Sequence, residues 1–181
     1  MSRQISVSRR YSKIRGVKRR LNALDSWAKS FEGYFPPENK NLKYWNRKIP
    51  VLDILVSPPK TTKKIQARCL NSLIQAANHL LDARPSKMTF AKVTVLITYP
   101  DMFGSEICIF FDPNYFDSFF DIESQDQSLC LLTGKQSLAD QLGVNLPEIY
   151  EEVGFEFKSN DNGLNGLTDY IEQWWSIREK K

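Results

Sequence analysis

Apolar residues recur at steps of three and four in two long stretches of the chain, and this spacing predicts one apolar face of an α-helix. In the first stretch the apolar positions are Ile14, Val17, Leu21, Leu24, Ala28 and Phe31. In the second stretch, residues 62–83, they are Ile65, Cys69, Leu73, Ala76 and Leu80, with Leu70, Ala77 and Leu81 beside them. Thr61 or Thr62 is suited to cap the second helix, and Pro85 ends it. We predict two amphipathic helices, of which the second is largely buried.

Runs of β-branched and aromatic residues predict strands in the middle of the chain. Residues 90–98 and 105–112 are two such runs separated by a short loop, and we expect them to pair as antiparallel neighbours inside a sheet. The helix of residues 62–83 should cover this hairpin. An irregular strand beginning at Tyr44 and Trp45 is expected at a sheet edge, because Pro50 cannot donate a ladder hydrogen bond.

The last third of the chain predicts several shorter elements. Asp112 and Pro113 suit the start of a helix in "PNYFDSFFD", and further short helices are predicted in "SLADQLG" and "PEIYEEVG". "FEFKSNDNG" predicts a strand that runs into a turn at Asn162 and Gly163. A final helix is predicted in "LTDYIEQWWSIREK", where one side would carry Leu167, Tyr170, Ile171, Trp174 and Ile177.

Together these elements predict an α+β fold, with a central antiparallel hairpin or sheet packed by amphipathic helices. The chain has 181 residues, of which 41% are hydrophobic, so residues 13–181 should form a single domain behind a mobile basic arm of residues 1–12. We expect a soluble cytoplasmic protein, because the sequence shows neither a membrane span nor a secretory signal. Cys69, Cys108 and Cys130 are expected to be free thiols, and the first two should be buried.

Charge is distributed very unevenly along the chain. Residues 1–100 carry 20 basic and 5 acidic side chains, whereas residues 101–181 carry 5 basic and 16 acidic ones. The two halves either form separate charged faces or neutralise each other across their contact. A basic start without acids also resembles a mitochondrial presequence, although the same segment has the stripe of a packed helix. If the basic half binds nucleic acid, its candidate phosphate contacts are Arg9, Arg10, Lys13, Arg15, Lys18 and Arg19, and a second basic group, Lys60, Lys63 and Lys64, could adjoin them.

The residue types needed for catalysis are sparse. His79 is the single histidine and lies ten residues after Cys69, about 15 Å along one helix, so those two cannot form a catalytic pair there. The acidic residues between positions 101 and 126 fit no metal-binding loop and are interpreted as a solvated rim. Their members include Asp101, Glu106, Asp112, Asp117, Asp121 and Glu123. "LTGKQS" lacks the first glycine of a phosphate-binding loop. We expect no catalytic residue, metal or cofactor.

An acidic, aromatic-rich stretch is the main candidate for binding a protein partner. Rigid aromatic side chains are frequent anchors in protein interfaces, and acids around them would attract a basic partner. The candidate contacts are Asp112, Tyr115, Phe116, Asp117, Phe119, Asp121, Glu123 and Asp126. Alternatively, the aromatic residues of this stretch, Phe120 included, fix a short helix onto the core, and the acids only keep its outer side wet.

Several segments resemble a family of small bacterial proteins known only as a domain of unknown function. They are "KIRGVKRRL", "YWNRKIPV", "SPPKT", "LITYPDMFGSEICIFFDPNYFDSFF" and "IEQWWSIRE", in this order. Families of this kind often accompany toxin genes as immunity proteins, so the resemblance implies a non-catalytic immunity protein or antitoxin that neutralises a toxin domain by direct binding. It implies no catalytic residue. The alternative is a nucleic-acid-binding protein that uses the basic half.

Overall fold

The fold is that of a computed structural model. The residues that it describes are 17–37, 42–50, 62–88, 90–100, 102, 104–121, 129–132, 136–158 and 171–180. The helices are α1 (Val17–Lys29), α2 (Lys63–Asp82), α3 (Pro113–Phe120) and α4 (Leu138–Leu142). The strands are β1 (Tyr44–Lys48), β2 (Lys92–Tyr99), β3 (Glu106–Phe110), β4 (Leu129–Leu131), β5 (Tyr150–Lys158) and β6 (Ile171–Glu179). The described residues therefore combine four helices with a six-stranded sheet, which is the architecture of an α+β fold.

The strands form one antiparallel sheet in the order β1-β3-β2-β6-β5-β4. β2 lies in the interior of this sheet, between its hairpin partner β3 and the last strand, β6. In the hairpin Val93 is opposite Ile109, and on the other side of β2 Ile97 is opposite Trp175. The last described strand therefore lies in the interior of the sheet, beside the hairpin.

Helices α1, α2 and α4 cover one side of the sheet, which we call the core face. Successive side chains of a strand point to opposite sides, and alternate residues of β2 and β3 accordingly pack with α2 in the main core. These strand residues are Val93, Val95, Ile97, Ile107 and Ile109, all fully buried. α2 buries Leu70, Leu73 and Leu80 against them. The broad apolar stripe of α2 thus supplies the centre of the core.

The opposite side of the sheet, which we call the α3 face, carries a smaller aromatic core. Cys108 and Phe110 alternate with the core-face residues of β3 and are fully buried beneath α3. Only an eight-residue helix covers this part of the sheet among the described elements, whereas three helices share the core face. On the α3 face Thr94, Thr98 and Ser176 are also buried, whereas Leu96 and Phe155 are half-buried and Trp174 is exposed.

Most of the predicted elements are confirmed within the described residues. The first stripe forms α1 from Val17 onwards, and the second forms α2, with Thr62 as its N-cap. The hairpin, the helix after Asp112 and the short helix in "SLADQLG" are all present, and β1 is an edge strand. Residues 1–12 and the turn predicted at Asn162 and Gly163 lie outside the described residues.

Two predicted helices are wrong. The segment predicted as the final helix contains β6, and most of "PEIYEEVG" belongs to β5, which begins at Tyr150. β5 and β6 pair along their whole length, from Tyr150 opposite Glu179 to Lys158 opposite Ile171. β6 also pairs with β2 on its other side. Ladder hydrogen bonds on both edges outweigh the local helical spacing, which is a weak preference.

The charge asymmetry along the sequence is only partly reflected in the two sides of the sheet. Lys18 and Arg19 of α1 and Lys64 of α2 are exposed on the side of the core face, whereas Asp117 of α3 is exposed on the opposite side. Asp140 of α4, from the acidic half, is also exposed on the side of the core face. The halves meet in an ion pair between Arg84 and Glu179, so separation and neutralisation of charge both occur. None of the described helices is long and apolar enough to cross a bilayer.

Candidate functional site

The site begins at the turn from β3 into α3, where Asp112 has a structural role. Its backbone is extended and its carboxylate Oδ1 accepts a hydrogen bond from the backbone N–H of Tyr115 at 2.9 Å, so Asp112 is the N-cap of α3. Pro113 follows at the first helical turn, where its missing N–H costs nothing. Asp112, predicted as a partner contact, therefore fixes the direction in which α3 leaves the sheet.

The aromatic residues of α3 pack mainly towards the sheet. Phe116 is buried, and its ring centroid lies 5.2 Å from that of Phe110 in an edge-to-face arrangement. Phe119 lies at the same distance from Phe110, and Tyr115 at 6.1 Å. Tyr115, Phe119 and Phe120 are half-buried. Their packing against Phe110 holds α3 on the sheet, while part of each of these three side chains remains accessible.

Acidic side chains form the outer surface of α3. Asp117 and Asp121 are exposed, and Asp121 is the C-cap residue of the helix. Glu123 and Asp126 lie outside the described residues. The structure therefore brings together six of the eight predicted contacts, but as a rigid helix with acids outside rather than as a set of exposed aromatic anchors.

Trp174 is the exposed aromatic residue that the sequence prediction placed incorrectly. The predicted helix buried it with Ile177, but in β6 the adjacent Trp174 and Trp175 point to opposite sides of the sheet. Trp175 enters the main core, whereas Trp174 lies on the α3 face and is 40% exposed. Two adjacent tryptophans between polar residues are the sequence signal for such a two-sided strand, because a helix would place them only about 100° apart.

Arg178 connects Trp174 to α3 along the same strand. Its guanidinium lies 5.4 Å from the ring centroid of Phe120, and it forms an ion pair with Glu151. Trp174 and Arg178 are four residues apart on one side of β6, which corresponds to about 13 Å. Arg178 therefore lies between α3 and Trp174 on the same side of the sheet, with buried Ser176 between them and half-buried Phe155 opposite Trp174 on β5.

A polar cluster beneath this surface contains a cysteine that is not activated. The hydroxyl of Tyr44 donates to Glu106 Oε1 at 2.6 Å and lies 3.0 Å from Cys108 Sγ, while Asn46 donates to Glu106 Oε2. Burial raises the pKa of the Cys108 thiol well above its usual range, and the nearby Glu106 charge adds to this effect. Burial likewise raises the pKa of Tyr44. A thiol in these surroundings stays protonated and is a poor nucleophile.

His79 and Cys69 do not complete a catalytic pair either. α2 packs on the core face, whereas the Cys108 side chain lies on the α3 face, so the sheet separates Cys108 from α2. His79 Nε2 is buried and has no hydrogen-bond partner among the described residues. Burial raises the pKa of Cys69 to about 11. Both Cys69 and Cys108 are free and buried, as predicted, and the side chain of Cys130 lies outside the described set.

We expect Cys69 and Cys108 of the native protein to react with iodoacetamide at neutral pH far more slowly than the same cysteines in urea. The reason is that alkylation requires the thiolate and access to it, and burial suppresses both. Mass spectrometry of the peptides that contain each cysteine measures the two rates separately. Native Cys108 reacting as fast as in urea would contradict the inactive-thiol assignment.

The described residues contain no group of three or more His, Cys, Asp or Glu side chains placed to hold a metal ion. Of the acidic rim, Glu106 is engaged with Tyr44 and Asn46, and Asp112 caps α3. Asp101 and Glu123 lie outside the described residues. Within the part of the chain that the structure describes, the acidic rim therefore does not gather into a metal site.

The alternative nucleic-acid contacts are only partly described. Lys18 and Arg19 are exposed on α1, whereas Arg9, Arg10, Lys13, Arg15 and Lys60 lie outside the described residues. Lys63 and Lys64 begin α2 and are exposed, and Lys64 lines the same groove as Lys18. The fold therefore joins two of the basic segments that the sequence left separate.

Comparison with known proteins identifies one related family. The model of a family described as "Protein of unknown function (DUF3916)" matches residues 25–179. This match spans all six strands, helices α2 to α4 and part of α1. Neither the comparison with curated proteins nor that with solved structures found a match. The resemblance to an uncharacterised family is confirmed at that level.

Proposed function

The chain belongs to the DUF3916 family, and we propose that it is a non-catalytic protein-binding domain whose partner contacts the α3 face. The binding surface consists of Asp117 and Asp121 on α3, together with Trp174 on β6. It lies on a rigid support, because capping and aromatic packing fix α3 while β6 is paired on both edges. A surface that is ordered before binding loses little conformational entropy on association.

The exposure of Trp174 is the observation that carries this proposal. Trp174 keeps 40% of its surface exposed beside half-buried Phe155 of β5, and covering this aromatic surface with a partner would be favourable. Tryptophan is also among the residues that contribute most to binding energy at protein interfaces. Burial of the exposed part of Trp174 by a partner would give this side chain a role in binding that it lacks in the isolated chain.

The acids on α3 indicate a partner with a basic surface. Asp117 and Asp121 are exposed beside the aromatic cluster, where they would accelerate encounter with positive charge and repel nucleic acid. Because toxin-neutralising proteins act by direct binding, and the motifs of this chain resemble a family with that implied role, we propose a bacterial immunity protein or antitoxin acting in the cytoplasm. Its partner would be a basic toxin domain.

Replacing Trp174 by alanine should weaken partner binding about 30-fold, since loss of a central aromatic anchor costs about 2 kcal/mol or more. The matched control is Tyr34→Ala, because Tyr34 is also aromatic and 40% exposed but contacts Trp45 on the side of the core face. The partner is first captured on the immobilised full chain from a lysate of the source cells, identified by mass spectrometry and then titrated as a purified protein. Tyr34→Ala should retain the wild-type dissociation constant.

The second arm of this experiment reverses the acids of α3. Asp117→Lys with Asp121→Lys should lower the association rate more than tenfold at low salt, whereas Glu32→Lys with Glu148→Lys, an equal charge change at other exposed sites, should not. Thermal unfolding checks that the variants fold, since exposed charges contribute about 0–1 kcal/mol. If the Trp174 and α3 variants bind like their controls, or if no saturable protein is captured, the proposal is wrong.

A further inference from the structure

Two concave regions border α1 on the side of the molecule opposite α3. The first is a groove of about 550 Å³ between α1 and α2. Its lining residues from α1 are Lys18, Leu21 and Asn22, and those from α2 are Lys64, Ala67, Arg68 and Asn71. The second is a pocket of about 360 Å³ between the end of α1 and β1. Its lining residues are Trp27, Ser30, Phe31, Tyr34 and Arg47.

The groove carries positive charge that is only partly neutralised. Arg68 pairs with Asp25, but Lys18 and Lys64 are exposed and neither forms an ion pair with a described residue. The amide side chains of Asn22 and Asn71 are exposed beside these ammonium groups and supply further donors. An ammonium pair with neighbouring amide donors is suited to contact the phosphate oxygens of a nucleic-acid backbone.

The pocket combines flat aromatic walls with a cation. Trp27 and Phe31 meet edge to face at 5.1 Å, and Tyr34 projects beside them with 40% of its surface exposed. The guanidinium of Arg47 lies 5.9 Å from the ring centroid of Trp45, which itself contacts Phe31 and Tyr34. Among these rings Tyr34 is exposed, Trp27 is half-buried and Phe31 is buried. The ring of Tyr34 beside Arg47 therefore provides the surface on which a nucleobase can stack.

The exposed side of α1 lies between the two regions. Asn22 in the groove and Ser30 in the pocket are eight residues apart, so the regions are separated by about 12 Å along the helix. Lys29, in the last turn of α1, is also exposed. The segments that build this side, residues 17–34 and 62–71, carry seven basic and two acidic side chains. A flexible strand could therefore cross α1 with positive charge along its path.

We propose that α1 and its two flanks bind single-stranded nucleic acid, with phosphates in the groove and a base stacked in the pocket. A single strand fits because its bases are free to enter an aromatic pocket, whereas those of a duplex remain stacked inside the helix. The sheet separates this site from the α3 face, so the two binding activities are independent and each can fail without the other.

The test uses the full chain and a fluorescently labelled uridine oligonucleotide, with binding followed by fluorescence anisotropy at several salt concentrations. Lys18→Glu with Lys64→Glu should weaken binding at least tenfold and reduce the salt slope by about 1.4, the contribution of about two phosphates of a single strand. The matched control is Lys87→Glu with Lys180→Glu, which changes the net charge equally at exposed sites outside the groove. It should bind within about twofold of the wild type.

The aromatic pocket is tested separately at Tyr34. Tyr34→Ala should weaken binding about fivefold or more without changing the salt slope, because base stacking is worth about 1–3 kcal/mol per base and involves no counterions. Tyr34→Trp preserves an aromatic surface and should bind like the wild type. Circular dichroism of each variant confirms that loss of binding does not reflect unfolding.

Several results would overturn the proposal. Equal losses in the two double-lysine variants would assign binding to net charge or to other basic residues. Unchanged affinity of Tyr34→Ala, or equal affinity for a duplex of the same length, would exclude the stacked base. Competition by polyglutamate as effective as by unlabelled oligonucleotide would identify an acidic peptide as the fitting ligand, and absence of binding at low salt would refute the site altogether.

Discussion

Replacing Arg84 by methionine is expected to destabilise the protein by about 3 kcal/mol, because it leaves a buried carboxylate without its counterion. Glu179, at the end of β6, is only 8% exposed, and both of its carboxylate oxygens accept hydrogen bonds of 2.9 Å from Arg84 Nη1. Oε1 also accepts from the backbone N–H of Val93. Arg84 is itself partly exposed, which places the expected loss at the lower end of the range for broken buried pairs.

Arg68→Met provides the matched control for this experiment. Arg68 pairs with Asp25 across α1 and α2, but their side chains are 48% and 32% exposed, so its loss should cost about 0–1 kcal/mol. Urea unfolding followed by circular dichroism measures both free energies. The double variant Arg84→Met with Glu179→Gln should be more stable than Arg84→Met alone, because it removes the unpaired charge and keeps an acceptor for Val93. Equal losses of unfolding free energy in Arg84→Met and Arg68→Met would show that the burial of Glu179 does not increase the cost of removing its partner.

Replacing Gly154 by alanine is expected to destabilise the protein by about 2 kcal/mol, within the usual range for overpacking a core. Gly154 of β5 is directly opposite Trp175 of β6, and the indole ring lies over the glycine. A Cβ atom at position 154 would approach ring carbons of Trp175 to 2.6 and 2.7 Å, closer than van der Waals contact allows. Trp175 is 4% exposed and packed in the main core, so the ring has little room to move.

A double-mutant cycle distinguishes this steric effect from a general loss of strand stability. Trp175→Leu alone should destabilise the protein because it removes buried aromatic surface, but it should also relieve the conflict at position 154. The destabilisation of Gly154→Ala with Trp175→Leu should therefore be smaller than the sum of the two single effects, measured by urea unfolding. An additive result would contradict the assigned contact.

Much of the fold could be predicted because its determinants are local. Several signals depend only on residues that are close in sequence. They are the apolar stripes of α1 and α2, the N-cap at Thr62 and the β-branched run of β2. The start of α3 is equally local, since Asp112 bonds to a residue three positions further on. Such signals do not depend on contacts with distant segments, and the elements that they predict are present in the structure.

The candidate site was only partly predictable, because some of its determinants are local and others are contacts between distant segments. The acids and aromatics of α3 are contiguous in sequence, so their grouping was visible, but which of them face the sheet depends on Phe110 and Tyr44. Lys18 and Lys64 share a groove only because α1 packs on α2. Neither the inward packing of Phe116 nor the position of this groove follows from the spacing of residues along the chain.

The sequence by itself determined the amphipathic helices, the central hairpin, the α+β class and the separation of basic and acidic halves. Only the tertiary structure decided that residues 171–179 form a strand, because pairing with β2 and β5 supplies hydrogen bonds and side-chain contacts that a local pattern does not contain. That pairing changes the side-chain period from 3.6 to 2, which buries Trp175 and exposes Trp174. It also brings Glu179 to Arg84 across 95 positions of the chain, a contact set by the packing of distant elements.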